Sequence, residues 1–181
     1  MKIICISGKA GHGKDTFAGF LKTRLVTRGK RVLVAHYGDL IKYVCSTFFG
    51  WDGKKDEKGR TLLQQIGTEG IRSKKPDYWV SFIADILEMF PDEWDYVLIP
   101  DARFPNEVNY LKDKGFDVLH IRVERPGFNM LTDEQQKHKS ETALDNFPAD
   151  LHVDNDGSLS ALQSKAEGIA FMLTVDLRDH V

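Results

Sequence analysis

Cysteine is scarce in this chain of 181 residues, with only Cys5 and Cys45, both in apolar contexts and without the spacing of a metal knuckle. That scarcity excludes a disulfide scaffold. It fits a cytoplasmic protein whose thiols stay reduced and buried. Long apolar runs are missing too: no stretch approaches the roughly 20 residues needed to span a bilayer, so no membrane association is expected. The opening MKIICISG is interrupted too early to be a secretory leader, and reads as a strand. An excess of one charge is also lacking. Lys and Arg total 25 against 27 Asp and Glu, a formal net charge of −2. Such a balance gives no electrostatic reason to expect nucleic acid as a partner. No internal repeat and no low-complexity tract divide the chain, so residues 1–181 are read as a single domain.

What is present is an alternation of strands and helices. Lys2 to Ser7, 31–36, 96–99, 117–123 and 151–153 are apolar runs of strand length, most of them ending at Gly, Pro or Asp. Between them, helical spacing runs over 14–28, 39–49, about 61–73, 77–89, 106–114 and 159–173. Residues 51–60 (WDGKKDEKGR) read as a solvated, mobile loop. The predicted fold is α/β: a five-stranded parallel sheet flanked by helices in three layers. Ligands in such folds bind beyond the carboxyl ends of the strands.

The stretch GKAGHGKDTF follows the first strand directly and opens a helix. Gly8, Gly13 and Lys14 match the phosphate-binding pattern G-x-x-x-x-G-K. There, backbone N–H groups cradle phosphate oxygens at a helix N-terminus, and the lysine reaches the β- and γ-phosphates. Asp15 stands where a hydroxyl usually does. It either caps the helix or holds Mg²⁺, a hard cation that accepts carboxylate oxygens and keeps several waters. Thr16, about 100° further round the helix, is then expected to donate to a phosphate oxygen.

Other strand ends carry matching chemistry. Asp39 either caps the next helix or lines the cleft, and Lys42 can meet an acceptor phosphate. Gln65, Thr68, Glu69 and Arg72 fall at i, i+3, i+4 and i+7, one helix face that is either solvated or shaped for a base and a phosphate. Asp101 is either a turn residue or a neighbour of the metal, and Arg103 has the planar fork suited to a phosphate. Residues 124–148 are long for a connection and carry Arg125, Lys137, Lys139 and Glu141. They are either a lid that delivers charge to phosphoryl transfer or a solvated excursion.

GKAGHGKDT, GDLIK, LQQIGTEGIR with a following YWV, DARFPNE, HKSETALD and NDGSL together resemble the phage-type deoxynucleoside monophosphate kinases, over about residues 3–163. The Gly-Lys-Asp form of the loop is also similar to animal-type phosphomevalonate kinases. The resemblance implies a P-loop nucleoside monophosphate kinase fold with an acceptor region at about 38–90 and a lid at about 124–148. It implies ATP as phosphoryl donor, with Mg²⁺. It places Gly11, His12, Gly13, Lys14, Asp15 and Thr16 at the ATP phosphates. Arg122 and Arg125 fall on the lid side, and Asn155 and Gly157 beside the donor adenine. Lys9, Asp39, Lys42, Gln65, Thr68, Glu69, Arg72, Trp79, Asp101, Arg103 and Glu141 are implied on the acceptor side. Lys14, Arg103 and Arg125 are the implied catalytic charges, and Asp15 and Asp101 the implied metal ligands. Ala10 departs from relatives with a basic residue there, shifting that load to Lys9 or the lid.

The activity this reading implies is transfer of the γ-phosphoryl of ATP to a (deoxy)nucleoside monophosphate. Competing readings are a kinase for another small phosphorylated metabolite, of the phosphomevalonate or dephospho-coenzyme-A type, and a nucleotide-dependent switch without an acceptor. Absence of an N-K-x-D signature counts against a GTPase switch. A monomer and a homodimer are both compatible with the sequence.

Overall fold

A computed structural model describes residues 1–175. Strand β1 (Lys2–Ser7) carries Ile3, Ile4, Cys5 and Ile6, all fully buried. A strand buried on both faces belongs inside a parallel sheet. With β2 (Val32–Val34), β3 (Tyr96–Ile99), β4 (Asp117–Glu124) and β5 (Leu151–Asp154), it forms a five-stranded, all-parallel sheet of order β2-β3-β1-β4-β5.

The helices are α1 (Lys14–Thr27), α2 (Tyr37–Phe49), α3 (Glu57–Gln64), α4 (Tyr78–Met89), α5 (Pro105–Asp113), α6 (Asp133–Gln136), α7 (Lys139–Thr142) and α8 (Leu159–Thr174). A π-helical stretch, Gln65–Arg72, joins α3 to α4. Alternation along β1 sorts them into layers. Ile4 and Ile6 face α1 and α8, meeting Phe17, Leu21, Leu162 and Ala166. Ile3 and Cys5 face α2, α4 and α5, meeting Tyr37, Trp79, Leu87 and Leu111. Burying each large apolar side chain is worth about 1.5–3 kcal/mol, so a register slip that reversed these faces would be strongly disfavoured. No helix among the described residues is long and apolar enough to cross a membrane.

Three elements depart from the sequence expectation. Helix α2 starts at Tyr37, earlier than the apolar spacing suggests, because the Asp101 carboxylate takes the N–H groups of Tyr37 and Gly38 at 3.1 and 2.8 Å. Residues 51–60 are not a loop throughout: α3 begins at Glu57, capped by the Asp56 side chain, which accepts the Gly59 N–H at 2.8 Å. Gly59 had argued for a break, but a Cβ there would lie 2.0 Å from the Lys54 carbonyl oxygen, so the close packing of the loop requires glycine. The expected regular helix at 61–73 widens into the π-helical stretch. There the Gly67 carbonyl accepts the Trp79 indole N–H at 3.0 Å.

Candidate functional site

Beyond the carboxyl ends of the strands lies a cleft of about 520 Å³, bounded by the 8–14 loop, the start of α2, the α3–π stretch, the loop after β3 and the 124–148 segment. The 8–14 loop forms because β1 ends in buried Ser7 and three glycines take positive φ: Gly8 at 142°, Gly11 at 77° and Gly13 at 93°. This left-handed region disfavours side chains. Asn155, just after β5, braces the loop from behind, its side-chain amide donating to the His12 carbonyl at 3.1 Å.

Lys14 opens α1, is 6% exposed, and donates to the Lys9 carbonyl at 2.9 Å. Burial first, and Arg103 second, bring its pKa down to about 8. Asp15 lies in the cleft with an exposed side chain, its Oδ1 3.1 Å from His36 Nε2. The hydrogen bond from His36 is the main cause holding the Asp15 carboxyl below the ordinary range, and the same bond raises His36. Thr16 is exposed and does not line this cleft.

Asp101 and Arg103 follow β3. Both Asp101 oxygens serve the start of α2, and burial pushes its pKa up. Arg103 reaches the 124–148 segment, its Nη1 donating to the Glu141 carboxylate and, at 3.2 Å, to the Ser140 carbonyl. The other oxygen of Glu141 accepts the Ala10 N–H at 3.0 Å. Lys42 lines the cleft and pairs with Asp39 at 2.6 Å. Thr68 and Arg72 line it from the π-helical stretch. Arg72 pairs with Glu107 at 2.5 Å and stacks 4.0 Å from the Phe104 ring centroid.

Helical spacing misplaced two residues, and the resemblance put at the ligands others that lie elsewhere. Gln65 and Glu69 are exposed and do not line the cleft, because the wider π turn rotates them off the shared face; Gln64 lines it instead. Trp79 lies in the α4 core, 1% exposed, with its indole N–H spent on Gly67. Arg122 lies on the side of the 124–148 segment, as the resemblance implied, but not at the main cleft: it lines a smaller cavity beside the loop, and its guanidinium donates to the carbonyls of Leu144, Asp145 and Phe147. Arg125 stacks on Phe128 at 4.2 Å, and its N–H donates to His12 Nδ1 at 3.2 Å. Lys9 faces Asp145 at 3.2 Å, and Gly157 lies in the turn before α8.

Other contributors went unread in the sequence. Glu107 is a fully buried hub that also accepts the N–H groups of Arg103 and Phe104 at 2.6 and 3.0 Å. Arg60 and Lys55 line the cleft from the segment expected to be a loop, and His36 joins Asp15 to Asp39. A helix at 57–64 would have revealed Arg60; Glu107 could have been read from DARFPNE, where it stands in the first turn of α5 behind Pro105 and accepts the N–H of Phe104 at the helix start.

Among the described residues no group of three or more His, Cys, Asp or Glu suits a metal held by protein alone. Mg²⁺ that bridges phosphates takes only one or two carboxylates and completes its shell with water. The ionised, solvent-facing Asp15 fits that demand. Asp101, with both oxygens occupied by backbone donors, fits a positioning part better than a ligand's.

Comparison with known proteins agrees with this geometry. The family model described as "Deoxynucleotide monophosphate kinase" matches residues 51–166. A deoxynucleotide monophosphate kinase of Enterobacteria phage T4 is 36% identical over 108 residues, 59% of this chain and 42% of that protein. Its counterpart in Escherichia phage RB69 is 33% identical over 112 residues, 61% of this chain and 43% of that protein. The match therefore spans under half the length of these relatives. In fold, the chain is similar to a Mycobacterium tuberculosis APS kinase solved with AMPPNP and APS, at TM-score 0.53 and 17% identity, covering 96% of this chain and 98% of that one.

Proposed function

The chain belongs to the deoxynucleotide monophosphate kinase family, and from that premise we propose that it transfers the γ-phosphoryl group of ATP to the 5′-phosphate of a (deoxy)nucleoside monophosphate. One observation carries this reading. A phosphate-binding loop and a second set of cations on other elements, Lys42, Arg60, Arg72 and Arg103, line one cleft. Two anionic groups that must approach each other need charge on both sides.

The acceptor phosphate is already an anionic nucleophile, so little general-base chemistry is required and alignment dominates. In this reading the loop N–H groups and Lys14 hold the donor phosphates. Arg103, at the end of β3, stands between donor and acceptor where charge develops. Thr68 and Lys42 face the acceptor from the other wall. Mg²⁺, when bound, neutralises phosphate charge, and Asp15 is the residue to hold it directly or through water. The lid residues around Arg125 exclude water from the reacting groups.

The test is ADP formation with ATP and a panel of ribo- and deoxynucleoside monophosphates, alongside phosphomevalonate and dephospho-coenzyme A. The expected result is turnover with one or more nucleoside monophosphates. Turnover only with another metabolite, or hydrolysis without transfer, would replace this reading.

A further inference from the structure

Glu141 is in an unusual place for a carboxylate. It sits on α7, in the segment read as a lid, and its side chain is 7% exposed. One oxygen accepts the Ala10 N–H of the phosphate loop at 3.0 Å, and the other accepts the Arg103 guanidinium. A loop N–H paired with an arginine fork is the donor set that a phosphoryl oxygen takes. Four residues along, Asp145 makes a parallel contact with Lys9 at 3.2 Å, so both acids lie on the face of the lid turned to the loop. The same segment presses Phe128 and Met130 onto Gly11, where a Cβ would lie 2.5 and 2.7 Å from them.

We propose that Glu141 is an internal competitor for a phosphoryl group: its carboxylate and a phosphate of the bound nucleotide exclude each other from the seat between Ala10 and Arg103. Two anions cannot share these donors, because each would lose its partners and face a like charge at close range. Nucleotide binding therefore releases α7 from the loop and frees Arg103 to face the reacting phosphates. The assignment differs from a substrate-binding role for Glu141, in which its removal weakens binding. It rests on the phosphoryl-transfer reading of the cleft.

The experiment compares wild type with Glu141→Gln, which keeps the shape and removes the charge. Binding of inorganic tripolyphosphate and of ATP is measured by calorimetry, and trypsin cleavage within 124–148 is followed without ligand. The variant is expected to bind both ligands about three- to tenfold more tightly, because the competent state is no longer taxed by the latch. It is also expected to be cut faster in the lid. Weaker or unchanged binding overturns the proposal. If wild type binds neither ligand, the kinase reading falls and takes this inference with it. If wild type binds and the variant binds no more tightly, only the inference falls. Should Glu141→Gln not fold, Asp145→Asn carries the same test on the neighbouring contact. There the gain is expected to be about twofold, since half-exposed pairs are weak, and no gain overturns the proposal.

Discussion

The loop at 8–13 and the segment at 124–148 touch each other, yet different forces hold them. The loop is shaped by backbone: three glycines with positive φ, a fully buried strand leading in, and a helix anchored by Phe17 and Leu21 leading out. The 124–148 segment has two helices of four residues each and one buried residue, Leu144. Its grip on the loop comes from side chains: Glu141 on Ala10 and Arg103, and Asp145 on Lys9. Backbone geometry is costly to alter, whereas partly exposed polar contacts are individually weak and exchangeable for a ligand's. The loop thus holds its shape by backbone, and the 124–148 segment meets it through side chains.

The largest expected effect lies in the cradle. Lys14→Ala should lower kcat by at least about 100-fold while thermal unfolding stays near that of wild type, since a charge that matters most in the transition state is lost. Near-normal transfer would break the assignment of this loop to phosphates.

Paired glycine substitutions sharpen the contrast itself. A Cβ on Gly8 would lie 2.2 Å from the Val123 carbonyl oxygen, a backbone atom of β4, at φ 142°. Gly8→Ala should therefore destabilise the protein by about 2 kcal/mol or more. At Gly11 the obstacles are Phe128 and Met130 side chains. Gly11→Ala should cost about 1–2 kcal/mol for its φ but mainly displace the lid, seen as faster trypsin cleavage within 124–148. Equal losses of stability with no change in cleavage would erase the distinction.

Two arginines test which charges serve ligands. Arg103→Ala should raise the acceptor KM roughly tenfold or more, a charge-assisted contact being worth about 1.5–3 kcal/mol. Arg122 is spent on three lid carbonyls. Arg122→Ala should instead lower Tm and loosen the lid, with the acceptor KM nearly unchanged.

Lys14 also predicts a pH dependence. Its pKa in the free protein is lowered to about 8, chiefly by burial, and an adjacent phosphate favours the charged form. The complex then holds more protons than the free protein, so ATP affinity falls as pH rises through about 8. The loss should reach about tenfold between roughly pH 7 and 9 at fixed Mg²⁺, measured by calorimetry, and should vanish in Lys14→Arg. The smallest effect is expected at Asp15. Asp15→Ala should raise the Mg²⁺ midpoint of transfer about threefold, while Thr16→Ala leaves it in place. The opposite pattern would reverse the two roles.

Legibility of the site followed the range of the forces involved. The loop could be read because Gly8, Gly13 and Lys14 act through local backbone and helix geometry. Gln65 and Glu69 were misread because i, i+3, i+4 spacing assumes α geometry, and the stretch opens into a π-helix around the Trp79–Gly67 contact. Trp79 was taken for a ligand-facing aromatic, but a buried indole with a satisfied N–H looks the same in one dimension. At Glu107 the contacts with the N–H groups of Arg103 and Phe104 are local to the start of α5, but its pairing with Arg72 arises only when α5 and the π-helical stretch pack together.

The alternation of strands and helices, the glycine-rich loop after β1 and the long connection at 124–148 were all present in the sequence, because apolar periodicity and glycine φ preferences act over a few residues. Lys14, Lys42, Arg72 and Arg103 line the cleft as the sequence led one to expect, whereas the places of Lys55, Arg60 and Arg122 were decided by tertiary structure. Arg103, just after β3, and Arg122, near the end of β4, carry the same chemistry on either side of β1. Only packing sets one against the Glu141 carboxylate over the loop and the other against three lid carbonyls. Hydrogen bonds are made within about 3 Å, and no spacing along the chain encodes what lies within 3 Å of a side chain once the sheet has formed.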